Sequence, residues 1–292
     1  MAEPLVIANG ELTARIDPLG AELLSLRDAA GREYMTDADP AFWTGHAPVL
    51  FPIVGALNGG TYRLDGPEYA LAKHGFARNS MFTCEEHEKF EWARFALEAS
   101  EDTRLVYPFD FRLEMYFELR DRTLAMIATV SNADDQPMPF SFGFHPAFAW
   151  PLPGGGEKLA HDIVFQHDEP LDIWRIDADG LVARDETSPV RGDRFSLSPD
   201  LFDDDALIWD ELASRRLFYR GMNGVALDIA FPDTPMLGIW QKPGANYICI
   251  EPWAGIADPA GYAGTFRDKP GVMEIAPGAA CAFRMDVTVV HG

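Results

Sequence analysis

The sequence predicts an all-β protein, a β-sandwich or barrel, on three observations. Apolar and polar residues alternate with a period of two over long stretches, Asn-Gly and Pro-Gly turns separate apolar runs, and helical periodicity is scarce. Taken in chain order, LVIANGELTARI sets Asn9-Gly10 between two apolar runs, the strongest short hairpin signal. Phe109, Phe111, Leu113, Met115, Phe117 and Leu119 then alternate with polar residues. After Asp121-Arg122 the pattern resumes with Leu124, Met126, Ala128 and Val130, so a hairpin with one buried face is expected.

FSFGFHPAF, residues 140–148, reads as a strand with Phe140, Phe142 and Phe144 on one face and Ser141, Gly143 and His145 on the other. Small residues clear the second face up to the imidazole, which suggests room for a ligand. PLPGGGEK at 151–158 reads as a loop within the fold, and DDDALIWDELAS as the best candidate for a short helix or turn. MLGIWQKPGANYICIEPW places Pro243-Gly244 between two strands, and AFRMDVTVV ends the chain with Phe283, Met285, Val287 and Val289 on one face. No linker or fixed-period repeat divides the chain, so one domain over residues 1–292 is expected.

Composition narrows the function. A hydrophobic fraction of 47% supplies a large core, and a formal net charge of −22 repels phosphate backbones and anionic lipid, so neither nucleic acid nor membrane is an expected partner. Cys84, Cys249 and Cys281 are odd in number and form no C-x-x-C pair, which suggests neither a disulfide framework nor a thiolate zinc site. MAEPLVIANGEL has no basic segment followed by a long apolar one, and the cytoplasm is the expected location. His74, His145, His161 and His167 form no recognisable ligand set, and no nucleophile elbow, Walker A loop or dinucleotide fingerprint occurs; neither a metal nor a cofactor is expected.

Three places could carry chemistry. In YICIEPWAGIAD, Tyr247, Cys249 and Glu251 share a strand face, Pro252 keeps Glu251 extended, and Trp253 brings apolar bulk that would raise a carboxylate's pKa. Glu251 is then either a general base or a solvated strand end. His145 is either a proton-exchanging group or a core histidine bonded to a backbone carbonyl. In KHGFARN, His74 and Arg78 around Gly75 either donate hydrogen bonds to a ligand or decorate a tight turn.

VLFPIVGALNGGTYRLDGPEYALAKHGFARN, FSFGFHPAFAWPL and YICIEPWAGIADP, in this order and spacing, resemble the aldose 1-epimerase (galactose mutarotase) family, in particular its LacX-like branch. The resemblance covers nearly the whole chain. It implies a large antiparallel β-supersandwich with a sugar site in a concave cleft, lined by the cleared face beside the phenylalanines. It implies His145 as acid, Glu251 as base, His74 as an assistant at the ring oxygen or hydroxyls, and Asp205, next to Asp203 and Asp204, as a hydroxyl ligand. Ala56 stands where relatives commonly carry a sugar-contacting arginine, and Arg78 and Lys73 are the cations that could fill its place. The implied activity is mutarotation of a hexose, the partner a small-molecule sugar, and the chain a monomer or homodimer. A hexose-6-phosphate mutarotase and a non-catalytic sugar-binding protein are the alternatives, and a glycoside hydrolase using Asp205 with Glu251 is a weaker one.

Overall fold

A computed structural model describes residues 3–88, 91–169 and 172–291. The alternation near the middle of the chain forms the hairpin that the sequence predicts. Phe111–Arg120 pairs with Thr123–Asn132 across Asp121, and every apolar residue of the first strand's inner set is buried. Thr123–Asn132 also pairs with the last strand, Ala280–Val290, whose Phe283, Met285, Val287 and Val289 are buried. These three strands are the centre of an antiparallel sheet with nine strands among the described residues.

A second antiparallel sheet, of eight strands among the described residues, is built around Tyr247–Ala254. The hairpin across Pro243-Gly244 supplies one neighbour, Met236–Trp240, and Phe142–Phe144 and Ala147–Ala149 supply the other side. The two sheets meet through aromatic side chains: Phe142 of the second stacks on Phe283 of the first with centroids 4.9 Å apart. This is the all-β supersandwich that the resemblance implies.

The N-terminal hairpin Leu5–Ala8/Leu12–Asp17 also forms, with the Asn9 side chain accepting from the Glu11 and Leu12 amides. Residues 151–158 lie outside the strands, as expected. DDDALIWDELAS holds no helix: a turn over the aspartates is followed by the strand Leu207–Trp209, because Leu207, Ile208 and Trp209 are all buried and pair with Met236–Trp240. Among the described residues the α-helix is instead Glu101–Val106, started by a capping box in which Ser100 Oγ accepts from the Thr103 amide and Thr103 Oγ1 from the Ser100 amide. No helix among the described residues is long and apolar enough to cross a membrane.

Candidate active site

Strand register brings two distant residues together. Gly143 pairs with Trp253 and Ala147 with Cys249, both antiparallel. The same register through the gap sets residue 145 opposite residue 251. His145 Nε2 lies 3.2 Å from Glu251 Oε2. Both side chains are buried, and His145 Nδ1 has no side-chain or backbone partner among the described residues. The pair opens on a cavity of about 230 Å³, small for a ligand site and suited to one monosaccharide. His74, Arg78 and Asp205 line the same cavity, so all five residues singled out in the sequence converge there.

The cleared face of the histidine strand has a different use from the one expected. A Cβ on Gly143 or on Gly238, in the strands on either side of Trp253, would fall inside contact distance of the Trp253 ring. Ser141 is covered in the same way by Gly255. The space is therefore the seat of an indole and not an opening for ligand, and the seated Trp253 becomes a cavity wall.

His74 is held by a reciprocal pair of bonds. Its amide donates to the Gly55 carbonyl at 2.9 Å, and the Gly55 amide donates to His74 Nδ1 at 3.1 Å. Because Nδ1 accepts, the ring proton of the neutral imidazole is on Nε2, which is left as a donor. Burial keeps this imidazole neutral by pushing it well below the ordinary histidine value. His74 is in the left-handed region at φ 70°, an uncommon conformation for a residue with a Cβ, and Gly75 follows it at φ 72°. Gly75 packs directly on the Phe51 carbonyl, where a side chain has no room.

Asp205, at φ 67°, is the member of the Asp203–Asp205 run that lines the cavity. Buried Arg175 anchors its loop by donating to the carbonyls of Leu201 at 3.1 Å and Asp205 at 2.9 Å while pairing with Glu186. Sequence reasoning gave Arg175 no role. It also passed over Trp43, whose ring packs 5.1 Å from the His145 ring and lines the cavity with Trp240.

Ala56 is buried beside the cavity. A Cβ at Gly180 would lie 3.4 Å from Ala56 Cβ and 3.6 Å from Lys73 Nζ, so Lys73 is a cation standing next to position 56.

Burial raises the Glu251 carboxyl well above its usual range, against the pull of Lys73 and Arg78. Burial also drives the His145 imidazole down, with the Arg78 charge adding to the effect. Both shifts disfavour the charged forms, and the 3.2 Å contact is short enough for a proton to pass between Nε2 and Oε2. Cys249 Sγ completes a group of three ligand-type atoms within 4.8 Å of one another, which a thiophilic cation could occupy only by displacing that proton.

The aldose 1-epimerase family model matches residues 4–258. The chromosomal protein LacX of Lactococcus lactis subsp. lactis is 30% identical over 296 residues, covering 98% of this chain and 99% of that protein. The X-ray structure of a galactose mutarotase related enzyme from Lactobacillus acidophilus superposes with a TM-score of 0.90 at 34% identity, covering 98% of this chain and 97% of the other. A galactose mutarotase-like protein from Lactobacillus casei ATCC 334 gives a TM-score of 0.90 at 30% identity over 98% and 99% of the two chains. With this match running through the segments that carry His74, His145 and Glu251, the chain belongs to the aldose 1-epimerase family.

Proposed function

We propose that the protein is a mutarotase that interconverts the α and β anomers of a free hexose, with His145 and Glu251 as its catalytic pair. The observation that carries this reading is the 3.2 Å contact between the two side chains at the wall of a monosaccharide-sized cavity. With the proton of the pair on His145 and Glu251 ionised, Glu251 takes the proton of the anomeric hydroxyl while His145 gives its own to the ring oxygen. The bond from C1 to the ring oxygen breaks, C1 becomes an aldehyde carbon, and the pair's proton count is unchanged. Rotation about C1–C2 presents the other carbonyl face, and the reverse transfers close the opposite anomer. Each positioned proton-transfer group contributes roughly 10²- to 10⁴-fold in rate.

The remaining side chains suit binding. His74 Nε2–H and Arg78 are donors, Asp205 is an acceptor for hydroxyls, and the Trp253 and Trp240 rings offer apolar faces to sugar C–H groups.

One observation favours a second reading, a hexose 6-phosphate substrate. In a chain with 46 acidic and 24 basic residues, Lys73 and Arg78 line the cavity, and neither makes an ion pair among the described residues. Pure α-glucose, α-galactose and α-glucose 6-phosphate, followed by polarimetry against the buffer rate, separate the readings. Acceleration of a free sugar supports the first, and acceleration confined to the phosphate supports the second. Sugar binding without acceleration makes the protein a non-catalytic binder and overturns both.

A further inference from the structure

A second buried acid–base pair lies behind the cavity wall, outside the reacting centre. Lys269 and Asp258 are both 3% exposed, with Lys269 Nζ 3.6 Å from Asp258 Oδ1 and also bonded to the Ile256 carbonyl. Lys269 lies beyond the segment that the family model matches. Asp258 ties its own segment to two other pieces of chain. Its amide donates to the Ala56 carbonyl at 2.9 Å, its carbonyl accepts from the Val182 amide at 2.9 Å, and its Oδ2 accepts from the Asn58 amide at 2.9 Å. Those pieces carry Gly55, Gly180 and Ala257, all of which line the cavity. Gly55 in turn holds the His74 ring.

A carboxylate this deeply buried stays in place only while its charge is compensated. The Lys269 turn is itself fastened from the far side: the Phe266 amide donates to the Arg63 carbonyl, and Arg267 pairs with Asp65 and Glu274. The cation is thus delivered to Asp258 from a part of the chain that never touches the cavity.

We propose that Lys269, acting through Asp258, is a positioning residue that sets the rim of the sugar cavity and hence sugar affinity. The inference rests on the mutarotase reading, since affinity is for the sugar that the wild type turns over. Lys269→Met is expected to raise KM about tenfold, which is about 1.4 kcal/mol of binding, while kcat changes by less than about threefold. Amide exchange should quicken in peptides spanning 54–60 and 180–184, which contain the amides bonded to Asp258, and stay unchanged at Ile250 in the strand of Glu251.

Where Lys269→Met does not fold, Asp258→Asn keeps the backbone bonds, removes the charge, and should shift KM and the same peptides in the same direction. Wild-type KM and exchange in a folded variant would overturn the proposal, as would a fall in kcat at constant KM. A wild type that accelerates no sugar would defeat the mutarotase reading instead. The exchange measurement still decides the positioning role in that case.

Discussion

The His145–Glu251 pair and the Lys269–Asp258 pair are both buried and have carboxylates seven positions apart in the chain, yet their surroundings differ. Asp258 takes a backbone amide on one oxygen and faces an ammonium with the other. Among the described residues Glu251 takes no backbone donor, and its neighbour His145 has an unpartnered Nδ1. A carboxylate tied to a backbone amide and a neighbouring ammonium is fixed in place. One whose close partner is an imidazole at a cavity wall is free to trade its proton.

The largest expected effect separates the pairs by rate. Glu251→Gln and His145→Asn should each slow anomerisation by roughly 10²- to 10⁴-fold in a protein that still folds, whereas Lys269→Met should leave kcat nearly intact. Comparable loss of kcat in all three would erase the distinction. Stability should show the reverse order. Removing one partner of a buried pair leaves the other uncompensated, so Lys269→Met should cost about 3–5 kcal/mol in denaturant unfolding, and adding Asp258→Asn should recover much of it.

A smaller effect is expected beside Glu251. Gly238→Ala should cost about 1–3 kcal/mol, because the new methyl enters the space of the Trp253 ring, and sugar affinity should fall as the indole tilts. A neutral result would mean that the indole does not need its seat.

The smallest effect lies in pH dependence. The folded state raises the Glu251 pKa, so above its ordinary value of 4.5 the native protein holds a proton that the unfolded chain has lost. This group's contribution to stability therefore declines as pH rises through that region. Glu251→Gln should escape the decline, so that its stability relative to wild type improves from acid to neutral pH. His145 titrates far below 6.5, so kcat should show no inflection at 6.5, where an exposed histidine would change charge.

The roles of His145, Glu251, His74 and Asp205 came with the resemblance of the ordered motifs, whereas strand period alone assigns only faces. Cys249 and Glu251 share one, and the single histidine of FSFGFHPAF shares its face with Ser141 and Gly143. Local pattern could not say which strands pair, and pairing is what sets His145 opposite Glu251. The same limit explains the misread glycine face. Gly143 is small because a side chain from the neighbouring strand needs its space, and sequence places no neighbour there. Arg175, Trp43 and Lys269 went unnoticed because each contributes through long-range contacts that leave no periodic trace. In DDDALIW the turn formed as expected, but the strand after it was missed because its apolar residues are too few to distinguish a buried strand from a helical turn.

The central claim is that His145 and Glu251 act as one unit that holds a single proton. Kinetics of His145→Asn, Glu251→Gln and the double variant on the best sugar test it directly. Two members of one proton-transfer unit are not additive, so the double variant should be no slower than the slower single one. Losses that multiply in the double variant would show two independent groups and contradict the account.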